Sequence, residues 1–241
     1  DAAESERDEA NAINALAPGR MAEAAREVDA LFVHYSTDYV FNGTGETPWQ
    51  ESDALDPINA YGASKADGEC RIREAGARHL ILRTQWVYAT RGRNFIKTML
   101  RLAQERDSLS VIDDQIGAPT GADLIADVTA HLVCACQAED GRAQSGTYHL
   151  AARGETSWYG FAHRVIETAR AAGLPIRTPT QALTAVPTSA FPTPARRPNN
   201  SRLSTALLES VFELRLPAWE AGVDRTLSEI LEPMLAAEKD K

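Results

Sequence analysis

The 241-residue chain carries 25 Lys and Arg against 34 Asp and Glu, a net charge of −9, and 44% of its residues are hydrophobic. That is ordinary globular composition, and it excludes a disordered chain, a collagen-like repeat or a disulfide scaffold. The acidic balance also argues against nucleic acid as a partner, since coating a polyanion needs clustered cations; one phosphorylated small molecule in a local basic pocket stays compatible.

In chain order, residues 8–28 read as helix, interrupted near Ala17-Pro18-Gly19. Residues 30–35 form a short apolar run that suits a buried parallel strand. It ends in Ser36-Thr37-Asp38, and Asn42-Gly43-Thr44-Gly45 and Pro48 mark a loop. A helix is expected from about Asn59 to Ala75, then a strand at 79–83 followed by Thr84-Gln85-Trp86. Residues 94–106 have apolar positions at helical spacing. A third strand is expected at 109–112 and a helix over 121–137, with Asp123 in its first turn. A fourth strand follows at 146–151, then a helix over 156–172 with Thr156 as N-cap. Residues 175–203, rich in Pro, Thr and Ala, read as irregular, and helices near 204–212 and 217–237 close the chain.

Strands alternating with helices point to an α/β fold with a parallel sheet. Residues 1–150 are expected to form the sheet domain. Residues 151–241, with contributions from 84–120, are expected to form a smaller, mostly helical substrate lobe. Cys70, Cys134 and Cys136 cannot all pair and have no zinc-site spacing, so they read as buried free thiols of a reducing, cytoplasmic setting. No apolar run is long enough to span a membrane, and no signal-peptide pattern opens the chain.

Ligands of open parallel sheets bind beyond the carboxyl ends of the strands. Three polar groups then become candidates: Ser36, Thr37 and Asp38; Thr84, Gln85 and Trp86; Asp113, Asp114 and Gln115. All three are expected to face one crevice; the competing reading is cap and turn chemistry. Tyr61 and Lys65 stand four apart on the expected helix and face the same way. An ammonium beside a phenol favours the phenolate and brings it toward acid/base range. The alternative is a surface contact, but only four cations of the chain are Lys, which singles out Lys65.

The order Ser36/Thr37, then Tyr61-x-x-x-Lys65, resembles the signature of the extended short-chain dehydrogenase/reductase family. The resemblance is carried by His34–Phe41, Pro57–Lys65, Arg83–Tyr88, Asn94-Phe95, Asp113–Thr120 and Pro194–Leu203, which span most of the chain in order. It implies a Rossmann-like doubly wound sheet. It also implies hydride transfer from NADPH or NADH to the C4 ketone of a dTDP-linked 4-dehydro-6-deoxysugar, dTDP-4-dehydro-L-rhamnose.

In the roles the family implies, Tyr61 protonates the alkoxide. Lys65 lowers the Tyr61 pKa and holds the nicotinamide ribose, and Thr37 hydrogen-bonds the ketone oxygen. Asn14 matches a helix asparagine that supports a proton-relay water. Tyr35 and Tyr61, with Lys65, touch the cofactor, and Thr37, Asp38, Trp86 and Asn94 fall on the sugar-nucleotide side. Arg196 and Arg197 are diphosphate candidates, because a guanidinium fork matches phosphate oxygens. Gln115 either binds substrate or ties down its own loop. Some members form a homodimer linked by Mg²⁺, for which Asp123 and Glu229 are the nearest acidic candidates, though each reads more simply as a helix-end or exposed carboxylate.

None of the 15 glycines makes the Gly-x-x-Gly-x-x-Gly turn that cradles a dinucleotide pyrophosphate. The opening Asp1–Glu6 resembles the family after its first strands, so roughly 70 residues, two βαβ units, are expected upstream. The strand at 30–35 would then be an exposed apolar edge and the chain unstable and poor at binding cofactor. Rival readings are another nucleotide-sugar 4-ketoreductase or epimerase, or a non-catalytic regulatory subunit of the methionine adenosyltransferase type. The intact Thr37, Tyr61, Lys65 and Trp86 set favours the enzyme.

Overall fold

A computed structural model describes residues 1–138 and 144–239. The elements are α1 (Ala2–Ser5), α2 (Arg7–Asn11), α3 (Ala17–Glu27), β1 (Phe32–Thr37), α4 (Ala60–Ala75), β2 (His79–Thr84), β3 (Val87–Tyr88), α5 (Phe95–Glu105), β4 (Leu109–Ile112), β5 (Ile116–Gly117), β6 (Thr120–Gly121) and α6 (Ala122–Gln137). They continue with β7 (Gly146–His149), β8 (Thr156–Ser157), α7 (Trp158–Ala171), β9 (Leu183–Val186), α8 (Ala206–Val211) and α9 (Trp219–Lys239). The chain divides into two units. Unit 1 comprises Asp1–Gln85, Ile125–Ala151 and Thr193–Leu216; unit 2 comprises Trp86–Leu124, Ala152–Pro192 and Pro217–Lys241. Thr193–Leu216 thus falls with the sheet and not with the segments on either side of it.

Unit 1 is built on a parallel sheet in the order β1-β2-β7. Phe32 pairs with His79 and Thr37 with Thr84, and Leu80 to Arg83 pair with Gly146 to His149. The central strand is the most apolar, and its Leu80, Ile81 and Leu82 are fully buried. Among the described residues β1 pairs on one side only. Phe32, Val33 and His34 are nevertheless half-buried, and Tyr35 is the residue of β1 that is exposed.

The crossover between β1 and β2 is α4, started by Asn59, whose Oδ1 accepts from the Gly62 amide at 2.7 Å, and ended by Gly76 at φ +71°. Its buried face is unusual in being polar: Ser64, Lys65 and Glu69, with Ile72 the one large apolar residue. Two glycines let that face come close to its neighbours. A Cβ at Gly62 would lie 2.1 Å from the Tyr39 carbonyl oxygen, and one at Gly68 would lie 2.1 Å from that of Asn14. The expected break near Pro18 is a π-helical turn over Ala12–Leu16, with no loss of helix. Proline lacks the N–H for a regular i→i−4 bond, and a widened turn before it absorbs the mismatch.

Unit 2 packs α5, α7 and α9 around Ile96, Leu100, Phe161, Val165, Val223 and Leu227. Its strands are short pairs: β3 with β6, β4 with β9, β5 with β8. Of the three thiols expected to be buried, Cys136 is, while Cys70 and Cys134 are exposed. Three further expectations are corrected here. The strand at 109–112 forms but pairs with β9 and does not join the sheet, so Asp113–Gln115 do not follow a strand of the β1-β2-β7 sheet. The supposedly irregular 175–203 segment contains β9. The N-cap of α7 is Ser157, whose Oγ accepts from the Gly160 amide at 2.9 Å; Thr156 lies in β8.

Unit 1 is tied together by a buried ion pair. Glu69 is fully buried and Arg83 2% exposed. Arg83 donates from Nε at 2.9 Å and from Nη2 at 2.7 Å, one bond to each Glu69 oxygen. Ser36 Oγ adds a third donor at 2.6 Å and Arg73 a fourth at 3.2 Å. Burial pushes the Glu69 carboxyl up, and these donors more than offset it, so it stays below the usual range. Removing one partner strands the other charge. Glu69→Gln should therefore cost about 3–5 kcal/mol in urea melts, and the double variant Glu69→Leu/Arg83→Leu should lose less than the single one. Equal loss in both would show that the pair is not held as described.

His149 is fully buried beside this pair, with Nδ1 3.2 Å from the Ser204 carbonyl and Nε2 3.4 Å from Arg83 Nη1. Burial first and Arg83 second push it down to about 3. A depressed value means that the folded protein prefers the neutral ring. This stability is complete above the ordinary value of 6.5 and drains away as pH falls toward 3. His149→Asn keeps a donor for Ser204 without a titrating ring, so stability measured from pH 7 to 4.5 should fall less steeply than in the parent.

Candidate active site

The residues singled out as catalytic meet in unit 1. Thr37 ends β1 opposite Thr84, which ends β2. Thr37 Oγ1 donates to Asp38 Oδ1 at 3.0 Å and accepts from the Tyr39 amide at 3.2 Å, starting a one-turn 3₁₀ helix over Asp38–Val40. Tyr61, in the first turn of α4, lies edge-on to Tyr39 with ring centroids 5.9 Å apart. Tyr61 is 38% exposed. Asn14, in the π-helical turn, donates to Ser64 Oγ at 3.1 Å, and Ser64 Oγ donates to the Tyr61 carbonyl at 2.8 Å. Asn14 therefore reaches the Tyr61 turn through Ser64.

Lys65 is 7% exposed. Its ammonium donates to the Tyr35 carbonyl at 2.5 Å and stands 3.0 Å from His34 Nε2. Burial pushes Lys65 down to about 8, against an upward pull from Glu69. The expected lowering of Tyr61 does not occur: its hydroxyl is raised, by burial first and the Asp38 carboxylate second, while the Thr37 hydroxyl pulls the other way. The ammonium is directed at His34 and the Tyr35 carbonyl, so it leaves Tyr61 protonated at neutral pH. Asp38 is itself pushed up by burial to about 6, with hydrogen bonds from Ser201 and Thr37 opposing. Tyr35 points its ring to the other face of β1, where its hydroxyl donates to Thr129 Oγ1 at 3.0 Å.

Arg196 and Arg197 lie on the loop that belongs with the sheet. Asn59, besides capping α4, donates from Nδ2 to the Arg196 carbonyl at 2.8 Å, so one side chain joins this loop to the Tyr61 turn. The Arg196 side chain is exposed, and Arg197 lies 3.7 Å from the Asp1 carboxylate. Asn59 was missed from sequence because an N-cap asparagine looks like any other; its second bond exists only in three dimensions.

The other candidates lie in unit 2. Trp86 adopts φ +45°, a strained conformation for a bulky residue, and stacks on Trp158 at 3.8 Å. Trp158 Nε1 donates to Gln115 Oε1 at 3.0 Å, and Gln115 Nε2 donates to Thr188 Oγ1 at 3.1 Å. Gln115 thus anchors its own loop and joins Trp86 through Trp158. Asn94 caps α5 by accepting from the Lys97 amide at 3.2 Å and donates to the Ala89 carbonyl at 2.5 Å, so both ends of its amide are engaged.

The donor set suits the nicotinamide-ribose end of a dinucleotide: a buried ammonium with spare donor capacity and a protonated, partly exposed phenol. Near the paired ends of β1 and β2, Thr84 Oγ1 and Gln85 Oε1 are buried without a protein partner, which leaves polar atoms for a bound molecule. The glycine turn for the pyrophosphate is not in these 241 residues. Asp123 is paired with Arg225, Glu229 accepts from Thr90 Oγ1 at 2.6 Å, and no group of three or more His, Cys, Asp or Glu could hold an ion among the described residues.

Residues 1–232 match the family model described as the RmlD substrate binding domain. The dTDP-4-dehydrorhamnose reductase of Escherichia coli K12 is 54% identical over 230 residues, 95% of this chain and 76% of the relative. The protein of the same name from Burkholderia thailandensis is 46% identical, over 96% of this chain and 78% of the relative. The crystal structure of the reductase from Bacillus anthracis in complex with NADP superimposes with a TM-score of 0.85 at 36% identity, covering 95% of this chain and 76% of that one. The Clostridium acetobutylicum ortholog gives the same TM-score at 34% identity, with the same coverage. On this likeness over nearly its whole length, the chain belongs to the RmlD substrate-binding-domain family.

Proposed function

We propose that this protein reduces the C4 ketone of dTDP-4-dehydro-L-rhamnose to dTDP-L-rhamnose with NAD(P)H, the last step in making that sugar nucleotide. The observation that carries the reading is the cluster of Thr37, Tyr61 and Lys65 at the carboxyl end of β1 and the first turns of α4. Relatives 46–54% identical that bear the reductase name support it, and the NADP of the Bacillus anthracis structure supports NADPH as the cofactor. The intact acid cluster also favours an enzyme over a regulatory subunit, and the reductase names favour this reaction over epimerisation.

In this reading NAD(P)H supplies the hydride to C4. Thr37 turns its hydroxyl from Asp38 to the ketone oxygen, where negative charge builds. Tyr61, kept protonated by burial and Asp38, gives its proton to that oxygen, and the alkoxide is the stronger base. Lys65 holds the nicotinamide ribose and restores the charge balance as Tyr61 ionises. Asp38 accepts from a sugar hydroxyl. Arg196 and Arg197 take the diphosphate, whose oxygens their planar forks match. Trp86 and Gln115 serve the sugar nucleotide within unit 2, and Asn94 keeps the α5 turn in place. The mobile nucleotide substrate suits a cytoplasmic enzyme, and no helix among the described residues is long and apolar enough to cross a membrane.

Ketone-dependent oxidation of NADPH tests the activity, and nicotinamide fluorescence follows cofactor binding separately. Tyr61→Phe should lower kcat by on the order of 10²–10⁴, far more than it changes NADPH affinity, as expected for loss of a general acid. Arg196→Ala combined with Arg197→Ala should raise KM for the sugar nucleotide without changing NADPH affinity. A Tyr61→Phe protein with parental turnover would sink the assignment.

A further inference from the structure

As the crossover between parallel β1 and β2, α4 runs antiparallel to β1, so the contacts of Lys65 and Glu69 with the strand cross: Lys65 Nζ reaches back to His34 Nε2 at 3.0 Å, and Ser36 Oγ donates to Glu69 Oε1 at 2.6 Å. Glu69 is held by the buried Arg83 fork. The Lys65 ammonium is placed by His34 Nε2 and by the Tyr35 carbonyl at 2.5 Å.

From these two contacts we infer that His34 is a positioning residue for the reaction: its neutral ring accepts a hydrogen bond from the Lys65 ammonium and leaves the remaining N–H aimed at the cofactor ribose. An ammonium has three donors. One goes to the Tyr35 carbonyl and one to His34, which leaves a single N–H with a defined direction. Without His34 the ammonium can rotate about the Tyr35 bond, and the direction is lost. The ring is neutral, since burial first and the Lys65 charge second push His34 down to about 4, and an ammonium 3.0 Å away calls for the lone pair on Nε2. Phe32, its stacked neighbour on β1 at 6.3 Å, helps hold the ring plane. Glu69, backed by Arg83, is the other charged group acting on Lys65. The proposal rests on Lys65 being the ribose ligand, as the reductase reading has it.

Two substitutions separate acceptor from bulk. His34→Leu fills the space without an acceptor, and His34→Gln returns an amide oxygen near Nε2. With lysine labelled at Cε, four residues give resonances, and the one missing in Lys65→Met is Lys65. Loss of the acceptor disfavours the charged form, so His34→Leu should lower the Lys65 titration by about one pH unit, with His34→Gln within about a third of a unit of the parent. This measurement needs no cofactor. In turnover, His34→Leu should raise KM for NADPH at least about fivefold and move the pH limb of kcat/KM with the Lys65 titration, and His34→Gln should restore both.

A His34→Leu protein with parental Lys65 titration and parental KM overturns the proposal, as does failure of His34→Gln to restore either. Should His34→Leu not fold, His34→Asn, whose shorter amide falls short of Lys65, takes its place against His34→Gln. Parental activity in Lys65→Met would overturn the reductase role of Lys65 and the proposal with it. An inactive Lys65→Met alongside an unaffected His34→Leu would remove only the role of His34.

Discussion

The carboxylate of Glu69 and the guanidinium of Arg83 share a buried site, and much of unit 1 is arranged around keeping both satisfied. A buried charge without its partner costs several kcal/mol, so the pair fixes the distance and rotation of α4 over β1 and β2. The glycines at 62 and 68 then become a geometric need, because the helix is drawn in until the carbonyls of Tyr39 and Asn14 occupy the space a side chain would take. Lys65, one turn earlier, is carried to the face of β1 by the same constraint.

That placement explains how a polar helix face can be buried and still useful. Each buried polar group has a stated partner: Ser64 has Asn14 and the Tyr61 carbonyl, Glu69 has Arg83, Ser36 and Arg73, and Lys65 has His34 and the Tyr35 carbonyl. Only at the end of the face, at Tyr61, does the arrangement open to solvent. The acid of the proposed reaction is thus the one member of the face free to meet a substrate. Its raised pKa keeps the proton in place until an alkoxide forms.

Much of this was legible in the chain. The spacing of Tyr61 and Lys65, a strand running into Ser36-Thr37-Asp38 (expected at 30–35, formed over Phe32–Thr37) and the helix starting near Asn59 are local features, written in periodicity and cap chemistry. The parallel α/β class followed from alternation of strand and helix. What was misread depends on partners far away in sequence. Leu109–Ile112 has the pattern of a strand in any setting, and nothing in its residues says that Leu183–Val186, over 70 positions on, is its neighbour. The pairing of Thr193–Leu216 with the sheet was hidden for the same reason, since the Trp49–Leu203 bridge and the Asn59–Arg196 bond join segments more than 130 residues apart.

The chemistry of individual groups divides in the same way. Sequence by itself determined which residues could donate protons, hold an ammonium near a phenol or grip a diphosphate, because residue type and helical spacing are enough for that. It could not determine the direction in which Tyr61 is shifted. A helical neighbour at i+4 suggested a lowered phenol, whereas burial and the Asp38 carboxylate raise it and the ammonium is engaged elsewhere. Desolvation and hydrogen-bond direction belong to the packed structure, and they outweigh proximity along a helix when the two disagree.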